Sequence, residues 1–250
     1  EINMTYKRFI LLSTTILTTL SLAACTTNNS DSPSSSETPT SESTREDLSQ
    51  LELPQLDTEI KENESVVELT TTAGVITVKL FPEIAPKAVE NFVTHAKDGY
   101  YDGTPFHRVI EGFMIQGGNP EGTGMGGESI WGEGFEVEIS NQLYHIRGAL
   151  SMARAQALDS QGSQFFIVQG TEDQSDGMAI QFTPERIIEA YKNGGAKSLD
   201  GNYTVFGQVI EGMDVVDKIA QAEVTSNGSE VSTPVDPVTI ESTKVLQEAK

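Results

Sequence analysis

The sequence has one cysteine and few basic residues, and each scarcity narrows the classes of protein it can belong to. A single cysteine among 250 residues excludes an internal disulfide. Sixteen Lys and Arg residues stand against 37 Asp and Glu residues, which gives a formal net charge of −21. Nucleic-acid binding needs clustered basic side chains, so this composition argues against a nucleic-acid partner. A hydrophobic fraction of 37% still allows a folded core.

The sequence also lacks a long uninterrupted hydrophobic run. The apolar segment from Phe9 to Leu20 contains several Ser and Thr residues and is shorter than the ~20 apolar residues of a membrane-spanning helix. Lys7 and Arg8 precede it and small residues follow, which is typical of a secretory signal. We therefore predict a signal peptide over residues 1–24.

The single cysteine lies directly after this segment. Leu22-Ala23-Ala24-Cys25 resembles the lipobox of bacterial lipoproteins, and the resemblance implies cleavage before Cys25 and lipidation of its thiol. The alternative is an ordinary signal peptide with a cysteine there by chance. The lipobox interpretation predicts a protein anchored by lipid on the extracytoplasmic face of the cell membrane, as multiple acyl chains give stable attachment.

A polar segment follows the cysteine. From Thr26 to about Asp57 the chain is rich in Ser, Thr, Pro and acidic residues and shows no hydrophobic periodicity. Such a composition cannot bury enough apolar surface to offset the entropy of ordering. We predict a lipidated cysteine and disordered tether over residues 25–57, followed by one folded domain over residues 58–250.

The folded part has short β-branched runs and few helical patterns. Two such runs flank Ala73-Gly74 and predict a hairpin. A helix is predicted to begin at Pro86, because apolar residues recur at helical spacing through Ala96, and another covers Met213–Ala222. Further strands are predicted at 106–110, 113–116, 149–152, 165–168, 205–209 and 238–246. Many short strands separated by turns favour a mostly β fold, a closed barrel.

The segment from Phe106 to Gly118 carries the densest group of candidate functional residues. If its two halves are adjacent strands, alternation places Arg108, Phe113 or Met114, and Gln116 on one outer face. Two interpretations stay open from this run alone. The residues form an apolar surface beside a fixed guanidinium, or the apolar side chains belong to the core and Arg108 is a solvated charge.

Two further segments carry a family resemblance. Residues Gly148–Ala155 and Gly162–Ile167, taken with Phe106–Gly118, are similar to the signature segments of the cyclophilins. The similarity extends to Gly122–Gly132 and Leu199–Val209, and it covers roughly residues 64–248. It implies a closed eight-stranded antiparallel cyclophilin-like barrel capped by two helices. It also implies a peptidyl-prolyl cis-trans isomerase that needs no cofactor or metal and acts on proline-containing polypeptides; we expect a monomer.

The resemblance also assigns roles by position. It implies that Arg108 is the catalytic residue. The proline-ring pocket and the groove around it would be formed by Phe113, Met114, Gln116, Ala153, Arg154, Gln164, Phe166, Leu199 and Tyr203. Three positions depart from the usual pattern: Arg154 replaces an Asn, Tyr203 replaces a His, and Ser198 replaces a Trp. In the family that Trp contacts cyclosporin, so weak inhibition by cyclosporin is expected.

The sequence leaves two questions open, the role of an insert and the choice between catalysis and binding. The insert of residues 170–197 contains a predicted helix over Thr183–Gly194, with an N-cap and Pro184 at the first turn. This insert forms one wall of the groove or is a neutral surface addition. The chain either isomerises X-Pro bonds of secreted or surface proteins and so assists their folding, or it only binds proline-containing segments. The presence of Arg108 favours the enzyme, because binding alone needs no more than the apolar pocket.

Overall fold

The computed structural model describes residues 47–228 and 230–250. The predicted signal peptide, the lipidation of Cys25 and the tether up to residue 46 lie outside the described residues. Within the described ranges, no helix has the length and apolar character needed to cross a membrane.

Among the described residues, eight strands form one antiparallel sheet, and two more form a separate hairpin. The strands are β1 (Ser65–Thr71), β2 (Gly74–Leu80), β3 (Arg108–Ile110), β4 (Met114–Gly117), β5 (Ala149–Met152), β6 (Phe165–Val168), β7 (Val205–Glu211), β8 (Val224–Asn227), β9 (Glu230–Pro234) and β10 (Ile240–Gln247). The large sheet has the order β10-β1-β2-β7-β5-β6-β4-β3, and β8 pairs with β9. The prediction of a mostly β fold is confirmed.

The barrel is curled but not closed, so the expectation of a closed barrel is wrong. β3 and β10 are the two edges of the sheet. The chain next to them is linked by backbone hydrogen bonds, such as that from the Phe106 N–H to the Val238 carbonyl at 2.9 Å. An isolated bridge joins Pro105 and Thr239. Because these contacts lie beside β3, they bring the edges near each other without continuing the ladder.

The predicted hairpin at Ala73-Gly74 is confirmed, and its turn has a clear cause. Thr71 pairs with Gly74 at the end of the β1–β2 ladder, and the Thr71 hydroxyl donates to the Gly74 carbonyl at 2.6 Å. Gly74 has a φ of +144°, a conformation that L side chains rarely adopt. Alternate residues of both strands then point into the main core.

In the part of the chain that the structure describes, three α-helices pack around the sheet: α1 (Pro86–Lys97), α2 (Glu185–Tyr191) and α3 (Met213–Ala220). α1 begins with Pro86 in its first turn, as predicted. Its Phe92 is fully buried and meets the rings of Tyr101, Phe165 and Phe206 at centroid distances of 5.2 to 5.4 Å. This aromatic group joins the helix to the inner face of the sheet.

α2 lies in the insert, and it differs in detail from the prediction. The helix begins at Glu185, because Pro184 takes the N-cap position with an extended ψ of 137° and no side chain caps the end. Thr183 therefore lies before the helix, and the helix ends at Tyr191. Gly194 has a φ of +109°, so a glycine with positive φ follows the helix end, as the sequence suggested.

The folded unit begins earlier than the predicted boundary at residue 58. Leu53 is buried in a cluster with Tyr144, Ile146, Ile187 and Tyr191, which we call the α2 cluster. Gln55 is also buried, and its side-chain amide donates to the Tyr144 carbonyl at 2.9 Å. Leu53, near the C-terminal end of the predicted tether, packs against Ile187 and Tyr191 of the insert. The last residues of the expected tether therefore belong to the folded domain.

Residues 57–64, which follow Leu53 and Gln55 in the sequence, are held against the sheet by a buried lysine. Lys79 on β2 is fully buried, and its ammonium donates to the carbonyls of Asp57 and Glu59 at 2.7 and 3.0 Å. It also lies 3.4 Å from a carboxylate oxygen of Glu64. A buried ammonium needs such partners, because desolvation without them is costly. Residues 57–64 are therefore an integral part of the domain.

Candidate functional site

A half-open cavity of about 260 Å³ lies on the outer face of the sheet. Its walls are formed by the residues that the sequence analysis singled out, namely Arg108, Phe113, Met114, Gln116, Ala153, Arg154, Phe166, Leu199 and Tyr203. Gln164 lies outside this cavity and lines a neighbouring one of about 470 Å³, together with Gln116, Ala153 and Arg154. The predicted residues therefore form one continuous surface, which we call the pocket face.

The pairing of β3 with β4 explains how Arg108 reaches the cavity. Arg108 lies directly opposite Gln116 in the ladder, so both side chains leave the same face of the sheet. Met114 is on that face too, whereas Ile115 points into the main core. The sequence left two interpretations open. The structure supports the one in which Arg108 and apolar side chains together form a surface on the outer face of the sheet.

The floor of the cavity is apolar and aromatic. Met114 and Phe166 are 1% and 5% exposed, so they are packed from below and present only a small surface to the cavity. The Phe166 ring meets the Tyr203 ring edge to face at 6.0 Å. Such a shallow, rigid, apolar surface suits a flat aliphatic ring.

The guanidinium of Arg108 is held by two side chains. Its Nε donates to Glu230 Oε2 at 2.7 Å, and its Nη2 donates to Glu230 Oε1 at 2.8 Å. Its Nη1 donates to Gln116 Oε1 at 3.2 Å and lies 3.7 Å from the Met114 sulfur. The guanidinium therefore has one edge on Glu230 and the other beside residues that line the cavity.

Glu230 on β9 is a site residue that the sequence analysis missed. Its hydrogen bonds from Arg108, with a further one from Ser232, lower the pKa of its carboxyl to about 2, so it is ionised at neutral pH. With 37 acidic residues in the chain, no sequence signal marks which of them lies near Arg108, 122 positions away. The hairpin itself was detectable, because β-branched residues flank Asn227-Gly228, a strong turn signal.

A chain of side-chain amides continues from Arg108 into the neighbouring cavity. The amide of Gln116 donates to Gln164 Oε1 at 2.9 Å. Gln164 in turn donates to the carbonyls of Gly124 and Gly126 at 3.1 and 2.7 Å. These bonds fix the glycine-rich loop beside the pocket.

Arg154 occupies the rim of the cavity in a different way from Arg108. Its guanidinium lies over the Tyr203 ring at 4.6 Å from the centroid. Its N–H groups donate to backbone carbonyls of Asn202, Ala155 and Gln156 at 2.9 to 3.1 Å. Two of the three departures from the family pattern, Arg154 and Tyr203, therefore contact each other, and together they form one side of the pocket.

Comparison with known proteins supports the same assignment. A family model described as "Cyclophilin type peptidyl-prolyl cis-trans isomerase/CLD" matches residues 66–245. The chain belongs to this family. It is therefore a cyclophilin-type peptidyl-prolyl cis-trans isomerase, as the signature segments indicated.

Bacterial relatives resemble the cyclophilin along nearly their whole length. A protein of Staphylococcus saprophyticus named "Putative peptidyl-prolyl cis-trans isomerase" is 50% identical over 199 residues, which are 78% of this chain and 98% of the relative. A protein of the same name from Staphylococcus epidermidis is 51% identical over 197 residues, covering 77% and 97%. The similarity therefore covers more than three quarters of this chain and nearly all of each relative.

A solved cyclophilin also has a similar fold. The crystal structure of a Cryptosporidium parvum cyclophilin-type isomerase in the presence of the dipeptide Ala-Pro shares 33% sequence identity with this chain. Its TM-score is 0.58, and the match covers 73% of this chain and 99% of that one.

One buried group has the form of a hydrolytic triad but not its accessibility. His145 lies between Asp200, at 2.8 Å from its Nδ1, and Ser151, at 3.1 Å from its Nε2. The Ser151 hydroxyl is buried and donates to the Thr204 carbonyl at 2.7 Å. A nucleophilic serine must reach substrate, so this group is structural. The His145 ring stacks against Phe166 at 6.0 Å and supports the pocket floor from below.

Proposed function

We propose that this cyclophilin catalyses X-Pro isomerisation with Arg108, and that its clients are secreted or surface proteins whose folding it assists. The observation that carries the catalytic part is the position of the guanidinium at the edge of an apolar cavity of about 260 Å³. No bond is made or broken in the reaction. A pocket and a well-placed donor are therefore sufficient, and no nucleophile is needed.

The chemistry explains why a guanidinium serves here. Rotation about an X-Pro bond disrupts amide resonance, at a barrier of ~18–20 kcal/mol, and takes tens to hundreds of seconds without a catalyst. In the twisted state the proline nitrogen regains a lone pair and becomes a hydrogen-bond acceptor. A donor aimed at that nitrogen stabilises the twisted state and not the planar ground state, which is the condition for catalysis.

The arrangement around Arg108 fits this role. The Nη1 group lies beside Met114 and Gln116, both of which line the cavity. A proline ring on the floor formed by Met114 and Phe166 would have its nitrogen near this edge of the guanidinium. A charge-assisted hydrogen bond contributes about 1.5–3 kcal/mol, or roughly tenfold to a hundredfold in rate. The remaining acceleration would come from holding the ring while the preceding carbonyl turns.

The groove beyond Gln164 supports a peptide substrate longer than a dipeptide. The cavity of about 470 Å³ continues the pocket face along the glycine-rich loop and Ala153. We propose that residues preceding the proline lie here as an extended chain. Its backbone groups would pair with those of the groove.

A protease-coupled isomerisation assay with a proline-containing peptide tests the catalytic part. The full chain should accelerate the exchange, and Arg108→Ala should fold normally yet lose most of the rate. Tight binding of the peptide without turnover by the wild-type protein would instead support the binding-only alternative.

The cellular part of the proposal is supported by the first 25 residues of the sequence. A basic start, an apolar segment and Leu-Ala-Ala-Cys25 are typical of a lipoprotein signal. We propose that Cys25 carries the lipid and holds the enzyme on the extracytoplasmic face of the membrane. Residues 26–46 would then separate the domain from the membrane.

Mass spectrometry of protein extracted from the membrane tests the anchor. The N-terminal peptide should begin at Cys25 and carry acyl chains, and Cys25→Ser should release the protein from the membrane fraction. An unmodified thiol at Cys25 in the mature protein would contradict the anchor and leave the isomerase assignment intact.

A further inference from the structure

We infer that Glu230 is a positioning residue for the isomerase reaction: its carboxylate holds one edge of the Arg108 guanidinium so that the other edge faces the proline pocket. This inference rests on the catalytic role of Arg108 proposed above. It assigns a function to the β8–β9 hairpin, which is separate from the main sheet.

The contact has the geometry of a two-point clamp. Two parallel hydrogen bonds, of 2.7 and 2.8 Å, join the Nε–H and Nη2–H of Arg108 to the two oxygens of Glu230. A paired contact of this kind fixes the plane of the guanidinium as well as its position. Because Nε and Nη2 are used by the carboxylate, Nη1 is left on the side of Met114 and Gln116.

The carboxylate is itself oriented by its own strand. Ser232 is two residues further along β9, so its side chain leaves the same face as that of Glu230. The Ser232 hydroxyl donates to Glu230 Oε2 at 2.6 Å. Two side chains on one face of β9 therefore form this contact. Ser232 orients Glu230, and Glu230 holds Arg108 at the edge of the pocket.

The exposure of the pair indicates why its contribution lies in orientation and not in stability. The side chains of Arg108 and Glu230 are 33% and 41% exposed, and exposed ion pairs add little to folding. A free arginine side chain, however, samples many rotamers, and ordering it costs entropy at each catalytic event. A guanidinium that is already held meets the twisted amide without that cost.

A competing electrostatic effect makes the inference testable. The negative charge of Glu230 lowers the local positive potential, so removal of the charge alone would strengthen Arg108 as a donor. Orientation and charge thus predict opposite changes in kcat for Glu230→Gln, which keeps the size of the side chain and removes its charge. We expect orientation to dominate, with kcat lowered about three- to tenfold, the scale of one net hydrogen bond.

The experiment compares kcat and KM of the full chain with an Ala-Pro peptide for four proteins: wild type, Glu230→Gln, Arg108→Ala and Glu223→Gln. Glu223 is exposed and immediately precedes β8, so its variant removes the same charge from the same hairpin. We expect Glu223→Gln to match wild type. In Glu230→Gln we expect KM to stay within about twofold while kcat falls, because the defect is in the transition state.

A spectroscopic readout separates orientation from a general disturbance of the hairpin. The Arg108 Nε–H, bonded to Glu230, should give a slowly exchanging signal in ¹⁵N-edited NMR spectra of wild type and Glu223→Gln. That signal should be lost in Glu230→Gln, with the remaining amide spectrum unchanged. Persistence of the Nε–H signal would overturn the inference.

The kinetic outcomes distinguish this inference from the proposal on which it rests. An unchanged or higher kcat in Glu230→Gln, or a change confined to KM, would overturn the positioning role if Arg108→Ala is still inactive. Full activity of Arg108→Ala would remove the catalytic role of Arg108, and the positioning role of Glu230 with it.

Discussion

The pocket face and the α2 cluster both contain aromatic side chains, but they differ in how far their polar side chains are exposed to solvent. On the pocket face a third of the Arg108 side chain stays exposed, and its Nη1 group borders a cavity. In the α2 cluster Tyr191 is fully buried, and its hydroxyl donates to Asp200 Oδ2 at 2.6 Å. Gln55, beside the cluster, is likewise bonded through both ends of its amide. Both regions have hydrogen-bonded polar side chains, so exposure is what distinguishes them: the region that binds keeps a polar side chain partly exposed, and the region that supports it buries its own.

The largest effect that we predict comes from damage to the supporting region. Ile187→Ala removes a fully buried side chain from α2, and the lost transfer energy and cavity should cost about 2–5 kcal/mol of unfolding free energy. Isomerase activity per folded molecule should stay near the wild-type value, because Ile187 does not line the pocket. Urea denaturation and the isomerisation assay measure the two quantities.

A matched variant on the same helix serves as the control. Ile188 follows Ile187 and is less buried, so Ile188→Ala should cost less in the same denaturation experiment. A loss of activity in folded Ile187→Ala that equals the loss in Arg108→Ala would show that the two regions are not distinct.

The pocket face could be predicted from the sequence because its contacts are local. Arg108 and Gln116 belong to one short segment, and strand alternation places them on one face. The signature segments supplied the other positions. The strands Ala149–Met152 and Phe165–Val168 agree with the predicted bounds. The ends of the other predicted strands shift by up to two residues, and α2 ends three residues before the predicted Gly194.

The α2 cluster and the Glu230 contact could not be predicted in the same way, because they depend on long-range contacts. Leu53 meets Ile187 across more than a hundred residues, and the Ser, Thr and acidic residues around Leu53 mask its apolar character. No local sequence pattern indicates that the barrel is open. Closure depends on how many residues next to β3 and β10 pair with each other, and these residues are far apart in the sequence.

A second, smaller effect concerns cyclosporin binding, because Ser198 stands where the family usually has a Trp. This residue is exposed and precedes Leu199, which lines the pocket. An interface tryptophan typically contributes about 2 kcal/mol or more to binding, so its absence should weaken cyclosporin binding by roughly 30-fold. Inhibition titrations of wild type and Ser198→Trp measure this effect. We expect tighter inhibition of the variant; sub-micromolar inhibition of wild type would contradict the prediction.

The smallest effect that we predict is a pH dependence of stability from His107, beside Arg108. Burial lowers the pKa of His107 below its ordinary value of 6.5. The unfolded state then binds a proton more readily, so the unfolding free energy is highest above pH 6.5 and falls as the pH decreases through that value. His107→Gln should show a shallower fall in denaturation experiments at neutral and mildly acidic pH.

His95 and Glu230 also make the unfolding free energy depend on pH, and their contributions must be distinguished from that of His107. His95 also has a lowered pKa because of burial, so part of the fall should remain in His107→Gln. The Glu230 pKa of about 2 makes its own contribution fall only between pH 4.5 and 2, which is a lower range. A profile of His107→Gln that coincides with wild type would show that His107 gives no such dependence.

The central claim is that the Arg108 guanidinium stabilises the twisted amide while the apolar pocket holds the ring. NMR exchange spectroscopy on an Ala-Pro peptide at saturating concentration tests it most directly, because it separates the isomerisation rate on the enzyme from binding. We expect Arg108→Ala to bind the peptide with similar affinity but to isomerise it about 10- to 100-fold more slowly. Arg186 is exposed, and we expect the control Arg186→Ala to behave as wild type. An undiminished exchange rate in folded Arg108→Ala would contradict it.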